Sequence, residues 1–149
     1  MKVILPVHVV AFETDFGGVV SNTRYLEYIE RGRYALMAAV HVSTAQAVEI
    51  CGAQPVVRRV EVEYLAPARH EDDLELHVAI AAHEGARTTL KFELHRPSDG
   101  MLLMRATQTL AYLTPAWKPV RVPELFKEKW PAEAGHERRE GRQEKENFS

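Results

Sequence analysis

An α+β domain, with one long helix lying against an antiparallel sheet, is what three features of this sequence predict. Apolar residues recur at helical spacing from Asn22 to about Val40. Four later stretches instead alternate apolar and polar residues with period two. Gly85 and Pro97-Ser98-Asp99-Gly100 sit between those stretches, supplying the chemistry of tight antiparallel turns. A strand, a helix and then a run of antiparallel strands belongs to the α+β class, with the helix on one face of the sheet.

The first strand reads from Val3 to Phe12, with Val3, Leu5, Val7 and Val9 at period two. Glu13 to Gly18 then breaks the pattern with turn residues. In the helix, Tyr25, Leu26, Ile29, Leu36, Met37 and Val40 share one face, and Ser21, Asn22 and Thr23 offer N-caps. Arg33 falls inside that apolar stripe and needs a partner. Glu30 is within i, i+3 reach, so the pair reads as a partly buried contact fixing helix packing or a subunit interface. Val60, Val62 and Tyr64 alternate with Arg59, Glu61 and Glu63. Arg58 shares parity with the apolar set and is expected at the sheet end near a ligand, whereas Arg59 should face water. Leu74 to Ile80, Leu90 to Leu94 and Met101 to Leu113 complete a five-stranded sheet. Residues 115–126 carry three prolines and are expected to strap across an edge. The domain is read as 1–126, and 127–149 as a charged, mobile tail with few apolar anchors.

With 149 residues, 46% of them hydrophobic, the chain supports one domain with a real core. Nineteen Lys and Arg against 21 Asp and Glu give a formal charge of −2, without the basic footprint of a nucleic-acid binder. A single cysteine, Cys51, excludes an intrachain disulfide and fits a reducing compartment; it reads as a structural thiol. No run approaches the roughly 18 apolar residues of a membrane span, and the N-terminus lacks signal-peptide features. A cytoplasmic protein is expected.

Several fragments mislead. Asp15-Phe16-Gly17 spells a kinase metal-binding triplet in a chain too short to be a kinase. There is no Gly-rich phosphate loop and no nucleophile elbow, and the seven histidines do not pair at metal-ligand spacing, so no metal or redox cofactor is expected. His77 and His95 interrupt strands opposite the apolar positions and should face solvent. The stretch Thr14 to Leu26 remains. There a carboxylate, Asp15, is followed by Gly17 and Gly18, which let a ligand approach the backbone, and by Val19. The helix begins about seven residues after Asp15 and offers unpaired N–H groups to an oxygen gaining negative charge. A carboxylate beside such a site could act as nucleophile or general base in acyl transfer. The same residues could also form an acidic turn that only leads into a helix.

This segment, with Tyr25-Leu26-Glu27-Tyr28-Ile29-Glu30-Arg31-Gly32-Arg33 and the block Val56 to Ala68, resembles the hotdog-fold acyl-CoA thioesterases of the 4-hydroxybenzoyl-CoA thioesterase superfamily. The resemblance is to the branch associated with the Tol-Pal envelope system and covers roughly residues 5 to 125. It implies hydrolysis of an acyl-CoA by a sheet wrapped around one helix, in a homodimer or homotetramer with the site between subunits. By the resemblance, Asp15 matches the catalytic aspartate, and Asn22 the position whose backbone N–H polarises the thioester carbonyl. Many members of the branch carry His where this chain has Asn22. Arg87 falls near the family's basic contacts to the coenzyme A phosphates, and Gly17, Gly18, Val19, Tyr25 and Arg58 are expected at the substrate. A dehydratase on the same fold usually needs a histidine beside the carboxylate, which Asn22 does not supply. A non-catalytic acyl-CoA-binding module would not need Asp15.

Overall fold

The computed structural model describes residues 1–133. Strand β1 (Lys2–His8) leads through a 3-10 turn (Ala11–Glu13) to α1 (Asn22–Ala39) and a short α2 (Thr44–Cys51). Then come β2 (Gln54–Tyr64), β3 (Asp73–Glu84), β4 (Arg87–Arg96) and β5 (Met101–Leu113), a two-residue β6 (Pro119–Val120) and α3 (Glu124–Lys129). The sheet order is β1-β3-β4-β5-β2, every pair antiparallel, with β6 added to β5. This is the expected α+β arrangement, enlarged by two short helices and one short strand.

Alternation decides which face of the sheet is covered. Leu74, Leu76, Val78 and Ile80 of β3, with Leu90, Phe92 and Leu94 of β4, are fully or almost fully buried. Against them α1 lays Tyr25, Tyr28, Ile29, Leu36 and Met37. Leu26, expected in this stripe, is 43% exposed; Tyr28 occupies the inward position instead. Gly32 sets the spacing of the two layers, because a Cβ there would lie 2.7 Å from Val78 Cγ2 and 2.9 Å from Leu76 Cδ2. Arg33 binds Glu30 in a fork at 2.8 and 2.6 Å, and Gln108 Nε2 donates to the same carboxylate at 3.2 Å. The charge inside the stripe is thus matched by a neighbour and tied to β5.

Three expectations need correction, and one helix was not expected. The first strand ends at His8 rather than Phe12, because the Glu13 carboxylate accepts the Val10 N–H at 3.0 Å and curls the chain. Helix α2 went unread although its capping box is local: Ser43 Oγ accepts the Gln46 N–H at 3.1 Å, and the Gln46 side chain accepts the Ser43 N–H at 2.8 Å. Arg58 does not follow the parity of Val60 and Val62, because β2 bulges between Val57 and Arg59. The domain boundary at 126/127 falls inside α3. Past it, Trp130 is fully buried, stacks on Phe126 at 4.9 Å and donates its indole N–H to the Leu36 carbonyl at 3.3 Å. Residues 134–149, the rest of the expected tail, lie outside the described residues.

Other assignments stand close to expectation. The Cys51 thiol donates to the Ala47 carbonyl at 2.9 Å, a structural contact within α2. Arg59 is exposed and pairs with Glu61. His77 and His95 lie on the sheet face opposite α1 but are only part-exposed, their rings 4.5 Å apart.

Candidate active site

The chain between the 3-10 turn and α1 is shaped by main-chain contacts. Asp15 N–H donates to Val19 O at 2.9 Å and Gly18 N–H to Asp15 O at 3.1 Å, closing a turn over Asp15-Phe16-Gly17-Gly18. Gly17 and Gly18 adopt φ of +105° and +75°, the left-handed region that a side chain would strain. Thr14 bridges Val20 and Val19 bridges Arg69, while Val20 N–H reaches Ala68 O at 2.9 Å and His70 N–H reaches Gly18 O at 3.0 Å. Asp15 is solvent-exposed on this hydrogen-bonded turn.

Helix α1 starts where the turn ends. Ser21 is its N-cap but makes no side-chain cap, and Asn22 is the first helical residue. Its N–H therefore precedes those the helix's own ladder can satisfy, at the positive end of the dipole. Tyr64 at the end of β2 donates its hydroxyl to Asn22 O at 3.2 Å. Tyr25, expected at the substrate, is only 3% exposed: its hydroxyl accepts the Ala68 N–H at 3.2 Å and its ring meets Tyr64 edge-on at 5.2 Å. Within one chain it braces the loop instead of offering a surface, and burial pushes its phenol pKa up.

Glu13 was not singled out from the sequence, yet it is 1% exposed two residues before Asp15. One carboxylate oxygen holds Val10; the other lies 3.8 Å from Arg31 Nη2. Burial pushes the Tyr28 phenol up, and the Glu13 carboxylate beside it adds to the shift. Glu13 anchors the approach to the turn from beneath.

Arg58 and Arg87 lie elsewhere. Arg87 pairs with Ala111 across β4 and β5, and Ala111 with Val56 across β5 and β2. Ala111 alternates with the buried Leu110 and Tyr112, so this row faces away from α1. Arg58 joins it from the bulge, and together they line a groove of about 570 Å³ that also includes Trp117. The structure thus brings Asp15, Gly17, Gly18, Val19 and Asn22 together at one end, and Arg58 and Arg87 together at the other. Arg58 precedes Tyr64 by six positions on β2, about 20 Å of extended strand.

Residues 9–130 match the family model described as the thioesterase-like superfamily. This chain belongs to that superfamily. The thioesterase-like chain is 40% identical over 87 residues to the acyl-CoA thioester hydrolase YbgC of Escherichia coli, a match covering 58% of it and 63% of that relative. The matched stretch is thus less than two thirds of the relative's length. To the acyl-CoA thioesterase YbgC of Haemophilus influenzae it is 29% identical over 123 residues, covering 82% of this chain and 89% of the relative. The fold matches that of Slr0204, a 1,4-dihydroxy-2-naphthoyl-CoA thioesterase from Synechocystis, with a TM-score of 0.78 at 18% identity, over 87% of this chain and 95% of that one. The hotdog arrangement expected from the sequence is the fold of this thioesterase-like chain. Among its described residues, no helix is long and apolar enough to cross a membrane.

Proposed function

We propose that this chain hydrolyses an acyl-CoA thioester to a carboxylic acid and coenzyme A, in the cytoplasm and as a homodimer or homotetramer. One observation carries the reading: a solvent-facing carboxylate on a turn closed by two left-handed glycines, directly ahead of an uncapped helix N-terminus, in a chain of this family. The Asn22 N–H holds the thioester oxygen as it gains negative charge, and the helix dipole supports it. Asp15 supplies either the nucleophile, through an acyl anhydride, or the base that takes a proton from water. On the anhydride route an Asp15 oxygen bonds the acyl carbon and water then cleaves the anhydride to free acid and carboxylate; on the base route water's oxygen bonds the acyl carbon directly; on both, the C–S bond breaks and sulfur leaves as the thiol of coenzyme A. Gly17, Gly18 and Val19 give the acyl chain a backbone edge without bulk, and Arg58 and Arg87 contact the coenzyme A phosphates.

A subunit contact is supported by the sheet. Strands β1 and β2 end the strand order, leaving two edges unpaired among the described residues, and an open edge favours pairing with another strand. The reading is tested by measuring thiol release from acyl-CoAs of graded chain length and one aromatic acyl-CoA, with wild type and Asp15→Asn. Release by the wild type and its near-complete loss in a folded Asp15→Asn variant are expected. Equal rates in both would leave Asp15 a turn residue.

A further inference from the structure

One buried charge beside the site is not used by the proposed chemistry. Glu13 is 1% exposed, precedes Asp15 by two residues, and is bonded to three parts of the fold. Its N–H donates to Val10 O at 3.0 Å and its Oε1 accepts the Val10 N–H at 3.0 Å, which ties it to the chain leaving β1. Its carbonyl accepts the N–H of Ser21, the N-cap of α1, at 3.1 Å. Its Oε2 lies 3.8 Å from Arg31 Nη2, further along the same helix. That last contact is too long for a hydrogen bond. Oε2 and the neighbouring Tyr28 hydroxyl are both buried without a hydrogen-bond partner among the described residues. A buried carboxylate held this loosely costs stability, and an apolar side chain of similar size would cost less. Packing alone does not call for a charge at this position.

We infer that Glu13 is a positioning residue, which fixes the Asp15 carboxylate relative to the Asn22 N–H by holding the turn and the helix start on one anchor. The inference rests on the thioester-hydrolase reading and extends it from the groups that react to the group that spaces them. Asp15 follows Glu13 by two residues along the chain. Asn22 follows Ser21, whose N–H is bonded to the Glu13 carbonyl. Bonds inside the turn, from Asp15 N–H to Val19 O and between Thr14 and Val20, hold it to itself. Those of Glu13 hold it to α1, and the Oε1 bond to Val10 stops the anchor itself from shifting. Alignment of this kind acts on the chemical step, where a misplacement of about 1 Å costs about 10²-fold in rate. It leaves the binding of the remote coenzyme A portion unchanged. A Glu13 that served the fold alone would act on stability and leave each folded molecule fully active.

The test cuts the side-chain and main-chain bonds of Glu13 separately. Glu13→Met keeps the length of the side chain and removes the acceptor of the Val10 N–H. Ser21→Pro removes the N–H bound to the Glu13 carbonyl, at a residue whose φ of −64° already suits proline. Each variant should lower kcat for acyl-CoA hydrolysis by about 10–100-fold with KM unchanged. Glu13→Gln keeps an acceptor for Val10 and drops the charge, so it should recover most of kcat. Adding Glu13→Met to Asp15→Asn should cost little beyond Asp15→Asn alone, because aligning a missing group has no value. Wild-type kcat in folded Glu13→Met or Ser21→Pro overturns the proposal. So does a loss that falls on KM, a Glu13→Gln protein as slow as Glu13→Met, or full additivity with Asp15→Asn. If Glu13→Met does not fold, Ser21→Pro decides alone. If the wild type releases no thiol from any acyl-CoA, the hydrolase reading fails instead, and the anchor is read from amide hydrogen exchange. The Asp15 and Ser21 N–H groups, both hydrogen-bonded in the wild type, should exchange about tenfold faster in Glu13→Met than in Glu13→Gln, in line with one lost hydrogen bond. Equal exchange in the two variants overturns the anchor.

Discussion

The two ends of this molecule are built by different means. The Asp15 end is a backbone structure: bridges from Thr14 to Val20 and from Val19 to Arg69, two left-handed glycines and a helix start fix it. The Arg58–Arg87 end is a side-chain structure, assembled from three strands, a bulge and a proline-rich turn that holds Trp117 out. Backbone sites leave local marks in a sequence, since Gly-Gly and a helix start must stand next to each other. Side-chain sites depend on register between distant strands and leave almost none. The same difference should appear in mutants: changes at the first end strike kcat, and changes at the second strike KM.

The largest effect is expected for Asp15→Asn. Removing a general base or nucleophile should lower kcat by about 10²–10⁴-fold while the melting temperature and the affinity for coenzyme A stay near wild type. A large rise in KM with kcat preserved would reverse the roles assigned to the two ends.

Trp130→Ala follows, because it acts on the core where α3 packs against α1 rather than on either end. Trp130 is fully buried, donates to Leu36 O at 3.3 Å, and its carbonyl lies 2.6 Å from His83 Nε2. Truncating such a residue costs about 3–5 kcal/mol, read as a lower denaturant midpoint. Truncation after Phe126 should reproduce the loss, and truncation after Glu133 should not. A stable chain ending at Phe126 would restore the original domain boundary.

Asn22 allows a clean separation of main chain from side chain. It is the first helical position, where proline is tolerated because its missing N–H has no helical partner, and Ser21 before it already has the extended φ −64°, ψ 140° that proline requires. Asn22→Pro should therefore fold, yet lower kcat by about 10²–10³-fold, the usual loss on removing one oxyanion donor. Asn22→Ala should keep most activity. Equal collapse of two folded variants would assign the role to the side chain.

What was legible in the sequence follows the same division. Period-two runs and a 3.6-residue stripe sufficed for β1, α1 and four further strands, because each is a local pattern with one face buried. Helix α2 was readable from Ser43-Thr44-Ala45-Gln46 and was missed because its apolar stripe is short. The bulge at Arg58 was not readable, since it exists only in the pairing of β2 with β5. Nor was the meeting of Arg58, Arg87 and Trp117, which needs the register of three strands and the placement of β6. Glu13 stayed hidden because its burial results from the loop folding over it, and a glutamate beside Asp15 reads as one more polar turn residue.

The smallest effect is expected for Gly32→Ala, a substitution in the core between α1 and the sheet. A glycine inside a helix is intrinsically unfavourable, so alanine would stabilise α1 by about 0.5–1 kcal/mol if nothing stood against it. Here the added Cβ meets Val78 Cγ2 at 2.7 Å, Leu76 Cδ2 at 2.9 Å and Phe92 Cε1 at 3.1 Å. These are buried branches and a ring in a filled core, and they can give way only by moving α1 off the sheet. Overpacking of this kind costs about 1–3 kcal/mol, which outweighs the helix gain and leaves a modest net destabilisation in thermal melts. Lifting α1 displaces Asn22 at its N-terminus, while the groove on the opposite sheet face stays where it is. The variant should therefore lose kcat on acyl-CoA and acyl-pantetheine alike, with KM for coenzyme A thioesters barely changed. A stabilised Gly32→Ala protein would show that α1 has slack above the sheet.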